Sequence, residues 1–544
     1  MKHIKFLILL ISISVALGAC KKQLDVRNPN APTPESANTE LGIISLAQGS
    51  VYYNGFHGLK YGGFFGNFFN DPLGYLELTA DVVGVEAANQ YINQFSTPNK
   101  ITYDDGSSLL NPQTPNEQAA LLHEINSNAN TYNNPLYYQW AYMYTLNKAL
   151  NVVLATLEGV EFTGDAESKK KTIQAWCYFW KGFAYSNIGS LYYAGLIDNE
   201  STPTTNDVYV EHASVIAEAN SNFDKSVQAA QGANSGEFAE MLSKLIPDIC
   251  QAGNGGALDA SMWQHSVNTM KARNLLVNSP VASTDWATIA QLTAPGTGIS
   301  EGDKIFVAYS NATSDIFYPN GGTISSVALG VSPGFWISER FVQEFDTEND
   351  LRFKNNFNLL ESFYPGDFTR GTAVATRWYM VPDGNGLDAS GTPTMVYGSN
   401  ETGAYELKLA GFLEENLIMQ AEAQAHLGND NAALLIVDQL HDMQGSGLPH
   451  LAGTTPALSL MEIIRRERRI QVAFSGLSFY DARRWGVIDN GRTGCTVFDK
   501  DGKLWTNATI DYGFMDYWDV PDNELAYNPA GAGSSAVVNP KYPH

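Results

Sequence analysis

Apolar side chains recur along this chain with the period of a helix rather than that of a strand. Trp140, Tyr144, Asn147, Asn151 and Leu154 follow one another at steps of four, three, four and three. Thr172, Trp176, Phe179, Phe183 and Asn187 repeat the pattern, and Trp263, Val267, Met270 and Asn274 give a third stripe. Such spacing lays one stripe along one helix face, which leaves water only by packing against a neighbour. Further helices are predicted over about 35–52, 211–231, 238–250, 285–293 and 338–345, then over 412–427, 431–443 and 458–474. Thr33 before Pro34 supplies a cap and a first-turn proline for the first of these. Between 296 and 408 the helical period lapses, and runs such as PGTGIS, YPNGGTIS, YPGDFTRGT and VPDGNGLDASGTP take over. Loops of that length inside a compact protein are usually functional. A second aromatic, glycine-rich tract, VYYNGFHGLKYGGFFGNFF, fills 51–69; it is too aromatic for a solvated loop and suits a surface buried against a partner.

The first twenty residues write an address. Lys2 and Lys5 flank the start of an apolar run from Phe6 to Leu17, interrupted only by Ser12 and Ser14. It is shorter than the ~20 apolar residues a spanning helix takes, so it reads as a secretory signal. The run ends in Leu17-Gly18-Ala19-Cys20, which looks like a bacterial lipobox cut before the cysteine. Cys20 is the expected lipidation site, and two or more acyl chains there give stable anchoring where one does not. The following segment 21–34, KKQLDVRNPNAPTP, has three prolines and few apolar residues and reads as a tether. Apart from Cys20 the cysteines are Cys177, Cys250 and Cys495, a scattered set with no CxxC, so a cysteine-built metal site is not expected. Cys177, inside a helical stripe, reads as a small buried hydrophobe.

Composition narrows the chemistry. Only 17% of the 544 residues are charged, against a typical ~25%. The balance of 57 acidic to 33 basic residues gives a net charge of -24, which repels phosphate backbones and excludes a nucleic-acid partner. With 12% aromatic residues, the polar work falls to Asn, Ser, Thr, Gln and Tyr, a set suited to neutral polar ligands. A flat aromatic face stacks on the C–H face of a sugar ring, while amides bond its hydroxyl edge. The candidate ligand-binding residues are Tyr91, Phe95 and Tyr103 on a polar stretch, with Tyr309, Phe317, Tyr318, Trp378 and Tyr379 in the central loops. Trp336, just ahead of a helix, reads as core. No HExxH, GxSxG or P-loop occurs, and nine histidines are dispersed without metal-ligand spacing. No catalytic residue is assigned. Asp383-Gly384-Asn385-Gly386-Leu387-Asp388 begins like a calcium loop, but Leu387 occupies the third ligand position and no Glu closes it. No cofactor is expected, a structural calcium being the alternative.

In AEAQAHLGNDNAALLIVDQL, Ala421 and Ala425 precede Gly428, and Ala433, Val437 and Leu440 follow. Small residues there let two antiparallel helices approach, in a spacing that resembles a tetratricopeptide unit or a generic helical hairpin. Several segments resemble the SusD/RagB family of Bacteroidetes outer-membrane lipoproteins. ERRIQVAFSGLSFYDARRWG at 467–486 is similar to the family's arginine-rich helix, glycine turn and aromatic-Asp-x-Arg-Arg-Trp element. YWDVPDNELAYNP at 517–529 is similar to its closing segment, and Trp263 through Lys271-Ala272-Arg273 to its W…N…KAR helix. The blocks 140–154 and 176–193, and SERFVQEFDTENDLR at 338–352, fit as well; Ser475 departs, standing where the family commonly has Glu.

The resemblance implies a mainly α fold, a scaffold of tetratricopeptide-like helical pairs with a large loop-rich region. Its parts are a signal peptide (1–19), a lipidated tether (20–34), an N-terminal helical region (35–295), a loop-rich variable region (296–408) and a C-terminal helical region (409–544). It also implies an outer-membrane surface lipoprotein that sits as a lid on a SusC-like TonB-dependent transporter, captures an oligosaccharide and hands it over uncleaved. Peptide-binding members make a peptide importer's lid the alternative, and a surface glycoside hydrolase is the enzymatic one. The cluster Arg465, Arg466, Glu467, Arg468 and Arg469 with Asp481, Arg483 and Arg484 suits either an anion or a set of internal pins. Its place on the family's scaffold favours pins, with Asp481 and Glu467 pairing with these arginines to join two helices.

Overall fold

The structure, a computed structural model, describes residues 38–57, 69, 73–85, 91–130, 134–202, 204–309, 336–364, 371–381, 383–389, 391–399 and 405–542. Cys20, the Thr33-Pro34 start signal, Phe317, Tyr318 and most of the 51–69 tract's glycine-rich part lie outside them.

Helix α1 (Glu40–His57) is followed by α2 (Leu73–Thr79), β1 (Val83–Val85), α3 (Ile92–Ser96), β2 (Lys100–Thr102), β3 (Ser108–Leu110) and α4 (Gln118–Ile125). The long helices α5 (Pro135–Leu157) and α6 (Ala166–Leu191) start where local chemistry satisfies their free N–H groups. The Asn134 side chain accepts from Leu136 N ahead of Pro135, and Asp165 accepts from Ser168 N. After the hairpin β4 (Ala194–Leu196) and β5 (Tyr209–Glu211) come α7 (His212–Gln231), α8 (Ser235–Leu245), α9 (Ala260–Val277) and α10 (Trp286–Leu292). These helices pack in succession, α1 on α5, α5 on α6, α6 on α7 and α7 on α9. Gly182 permits the α6–α7 approach, since a β-carbon there would lie 2.6 Å from the Phe223 ring. The predicted stripes meet in one aromatic core, where Phe179 lies 5.2 Å from Trp263 and 4.9 Å from Phe306. Cys177, Cys250 and Cys495 are free and buried, and burial pushes the Cys177 thiol up.

The region expected to be loops carries β6 (Val307–Tyr309), β7 (Trp336–Ile337), α11 (Glu339–Val342), α12 (Leu351–Asn356), β8 (Phe357–Tyr364) and β9 (Thr376–Met380). The pair β10 (Asp388–Ala389) and β11 (Thr392–Pro393) follows, then β12 (Glu406–Lys408). One four-stranded sheet runs β1-β7-β9-β8, and β6 pairs with β12. Trp336 is core as expected, 5% exposed, but on a strand paired opposite Tyr379. The helix predicted over 338–345 stops at Val342. Asp346 accepts from the N–H groups of Glu348 and Asn349 at 3.1 Å each, a turn that competes with helical bonding. The helix predicted over 238–250 starts earlier, behind the Asn234 cap, and ends at Leu245, two residues before Pro247.

The C-terminal region holds α13 (Leu413–His426), α14 (Asp430–Met443), α15 (Leu460–Val472) and α16 (Ser478–Arg484), then β13 (Arg492–Phe498), β14 (Leu504–Asp511) and α17 (Asp522–Leu525). A second sheet runs β13-β14-β2-β3, stitching the C-terminal hairpin to residues 100–110. Ala421, Ala433, Val437 and Leu440 share the buried α13–α14 contact that the small residues forecast.

The arginine cluster is internal. Asp481 pairs with Arg468 at 2.7 Å and with Arg484 at 2.6 Å, and Arg484 forks onto Glu422, so α13, α15 and α16 are pinned together. Arg465 and Arg469 both reach Glu344, at 2.7 and 3.1 Å. Glu467 departs from the expected pairing. It faces Arg352 at 2.6 Å and His441 at 3.1 Å, because its helix face turns toward α12 and α14 rather than α16. Arg483 donates to the carbonyls of Ser190, Val277 and Asp516 and stacks 3.9 Å over Tyr517.

Candidate ligand cleft

An open cleft of about 500 Å³ lies where the start of α3, the 111–114 turn, the far end of α4 and Gly371 converge. Its lining includes Tyr91, Gln94, Gln113, Thr114, Glu124 and Asn130, an aromatic ring, amides and a hydroxyl with a single carboxylate. Tyr91 precedes α3 with φ 62° and ψ 20°, a left-handed conformation that costs a residue with a β-carbon about 1–2 kcal/mol. Its hydroxyl donates to Asn130 Oδ1 at 3.2 Å, and Asn130 in turn donates to the Ile125 carbonyl at 2.7 Å, which ties the ring to the end of α4.

The opposite wall is equally fixed. Gln113 Nε2 donates to the Asn93 carbonyl at 3.1 Å, and Asn111, 3% exposed, donates to the Thr97 carbonyl at 3.2 Å. Gly371, at φ +101°, presents its carbonyl to Thr97 Oγ1 at 2.9 Å; a β-carbon there would meet the Gln113 side chain at 2.4 Å. Such a surface offers a flat ring and neutral donors and acceptors.

Of the aromatic residues predicted from sequence, the cleft takes Tyr91 alone among those described. Phe95, four positions on, is a correction. It is fully buried, 4.9 Å from Tyr75 and 5.2 Å from Trp518, because α3 turns Asn93 and Phe95 inward together. Tyr103 is half-buried on the β2–β3 hairpin and stacks on Trp505 at 4.8 Å. Tyr309 donates its hydroxyl to Glu406. Burial works against charge on that carboxylate, but Lys408 at 2.7 Å and the Tyr309 bond hold it down at about 2. Trp378 and Tyr379 are half-buried on β9. The Trp378 indole donates to Glu339 Oε2 at 3.3 Å and packs on Phe353, while Tyr379 lies opposite Asn358. Phe317 and Tyr318 lie outside the described residues. The cleft's amides were not singled out from the sequence; the signals present were the amide-rich composition and the NPQTP turn at 111–115.

In the loop that begins like a calcium site, Asp383 accepts from the Ser399 hydroxyl, Asn385 donates to the Lys354 carbonyl at 2.6 Å, and Asp388 opens β10. Among the described residues no group of three or more His, Cys, Asp or Glu side chains is placed to hold a metal ion. Among them, too, no helix is long and apolar enough to cross a membrane.

Residues 413–531 match the model of the SusD family. No curated protein matches the chain. A SusD superfamily protein from Bacteroides thetaiotaomicron VPI-5482 superposes with a TM-score of 0.52 at 12% identity, over 92% of this chain and 99% of that one. A laminarin-binding SusD-like protein gives 0.48 at 14% identity over 82% and 90%. A protein solved with a xylogluco-oligosaccharide gives 0.49 at 12% identity over 81% and 82%. The chain thus has the helical SusD-like fold along most of its length, and its segment 413–531 matches the sequence model of the SusD family.

Proposed function

We propose that this chain is a non-catalytic cell-surface protein that captures a neutral oligosaccharide and passes it to a SusC-like TonB-dependent transporter, anchored in the outer membrane through acylated Cys20. One observation carries the reading: the half-buried Tyr91 ring, tied through its hydroxyl to Asn130, stands in an open cleft with Gln94, Gln113 and Thr114. A ring already fixed loses little side-chain entropy when a sugar stacks on it, and the amides match the sugar's hydroxyls. A glycosidase needs two carboxyl groups about 5–9.5 Å apart, whereas Glu124 is the one carboxylate among the cleft's lining residues. The net charge of -24 disfavours acidic ligands. The lipobox-like end of the leader supports the anchor, and the SusD-like fold with its family resemblance supports the transporter.

The test is an array of neutral glycans and peptides probed with the full chain in a non-glycosidic detergent. Binding of at least one glycan, with no product released on prolonged incubation, is expected. A response to peptides alone, or hydrolysis of the bound glycan, overturns the reading. Cys20→Ala should move the protein from the membrane fraction to the soluble one; unchanged membrane retention would remove the anchor.

A further inference from the structure

A second cavity, of about 280 Å³, opens between β12, the 395–397 segment and the turn from α15 to α16, and shares no lining residue with the cleft. Two amides form its floor. Gln444, at the end of α14, is 6% exposed and Gln471, on α15, is 7% exposed. They pair reciprocally, Gln444 Nε2 donating to Gln471 Oε1 at 2.6 Å and Gln471 Nε2 to Gln444 Oε1 at 2.8 Å. Behind them, Arg352 donates to Gln444 Oε1 at 2.8 Å and Glu467 accepts from Gln471 Nε2. Counting donors and acceptors, one N–H of Gln444 and one lone pair of Gln471 have no partner among the described residues.

Four aromatic residues line the cavity. Tyr405 is half-buried, while Tyr397, Phe412 and Phe474, 5%, 4% and 1% exposed, pack behind it. Phe474, held at φ 62°, sets its ring 4.9 Å from that of Tyr397, whose hydroxyl is committed to the Ile470 carbonyl. At the rim Glu406 and Lys408 neutralise each other at 2.7 Å, and Glu414 offers a carboxylate acceptor.

We propose that this cavity is a second ligand site, which takes one neutral polyhydroxylated ring of hexose size. The half-buried Tyr405 ring beside an amide pair fits the two sides of a sugar, C–H on one and hydroxyl on the other. The volume, just under the ~300–1,000 Å³ of small-molecule sites, suits one ring. The inference deepens, and rests on, the carbohydrate reading of the whole protein, while using different residues.

Saturation-transfer NMR on the full chain in a non-glycosidic detergent, with millimolar D-glucose, D-galactose and D-mannose as separate probes, tests it. At least one hexose should receive signal. Ser475→Phe, at a half-buried lining position, should fill the cavity and weaken that hexose at least tenfold, while Tyr527→Ala, at an exposed ring that lines neither cavity, leaves it unchanged. Tyr405→Ala, which removes a wall, should bring the same loss and serves if Ser475→Phe fails to fold. No transfer to any hexose, transfer that survives both cavity variants, or transfer lost equally in Tyr527→Ala overturns the second site. Hexose binding that depends on Ser475, alongside failure of every oligosaccharide to bind the Tyr91 cleft, overturns the capture reading and leaves this cavity standing.

Discussion

Tyr91 and Phe95 are one helical turn apart and meet opposite fates, the first half-exposed in the cleft and the second sealed between Tyr75 and Trp518. Sequence marked both as aromatic residues on a polar stretch; nothing local said which way a five-residue helix would turn. The left-handed backbone of Tyr91 gives a direct check on its role. Tyr91→Gly should be more stable than Tyr91→Ala by about 1 kcal/mol, seen in chemical unfolding, though both remove the ring. Equal stability would mean that the backbone at 91 is not held left-handed. Glu77, on α2, is fully buried, and its Oε1 accepts from Gly476 N at 3.0 Å. Burial pushes its carboxyl up to about 7. From the usual carboxyl range up to that value the folded protein keeps a proton that the unfolded chain has released. Stability therefore falls as pH rises across this window. Glu77→Gln should flatten that fall, adding about 3 kcal/mol at pH 8 and little at pH 4. A parallel pH profile in both proteins would show that Glu77 does not titrate there.

The pins among α13, α15 and α16 act between elements. Asp481, 1% exposed, faces Arg468 and Arg484, and Arg468 has two further guanidinium nitrogens without a hydrogen-bond partner among the described residues. Asp481→Ala would leave two buried arginines short of their shared anion, so unfolding free energy should drop by about 3–5 kcal/mol. A loss under ~1 kcal/mol, the scale of a surface pair, would contradict the internal reading of the cluster. That Asp481 joins two arginines was legible, because all three lie within one short stretch of sequence. The Glu467–Arg352 pair was not, since a partner 115 positions away leaves no local mark. Helix stripes were legible for the same reason, each recording its packing in its own spacing. Strands β6, β7 and β12 were not, because they are two or three residues long and alternation needs four or more to be recognised.

Across the whole molecule, the helical scaffold was written in long periodic segments and its resemblance to SusD-like proteins in the motifs at 263–273, 467–486 and 517–529, and the fold follows them. The cleft was hardly legible. Its walls come from 91–94, 112–114, 121–130 and Gly371, separate stretches of ordinary polar residues that only the folded chain brings together. The sequence supplied the chemistry, neutral amides with aromatic rings on a charge-poor chain, but not the address. Capture without cleavage is most directly tested by calorimetric titration of a neutral oligosaccharide into the full chain and its Tyr91→Ala variant, with the recovered ligand analysed by chromatography. Saturable binding to the intact protein, weakened about tenfold in the variant, with the ligand recovered whole, is the predicted result. Equal affinity in the two proteins, or a shortened ligand, would contradict it.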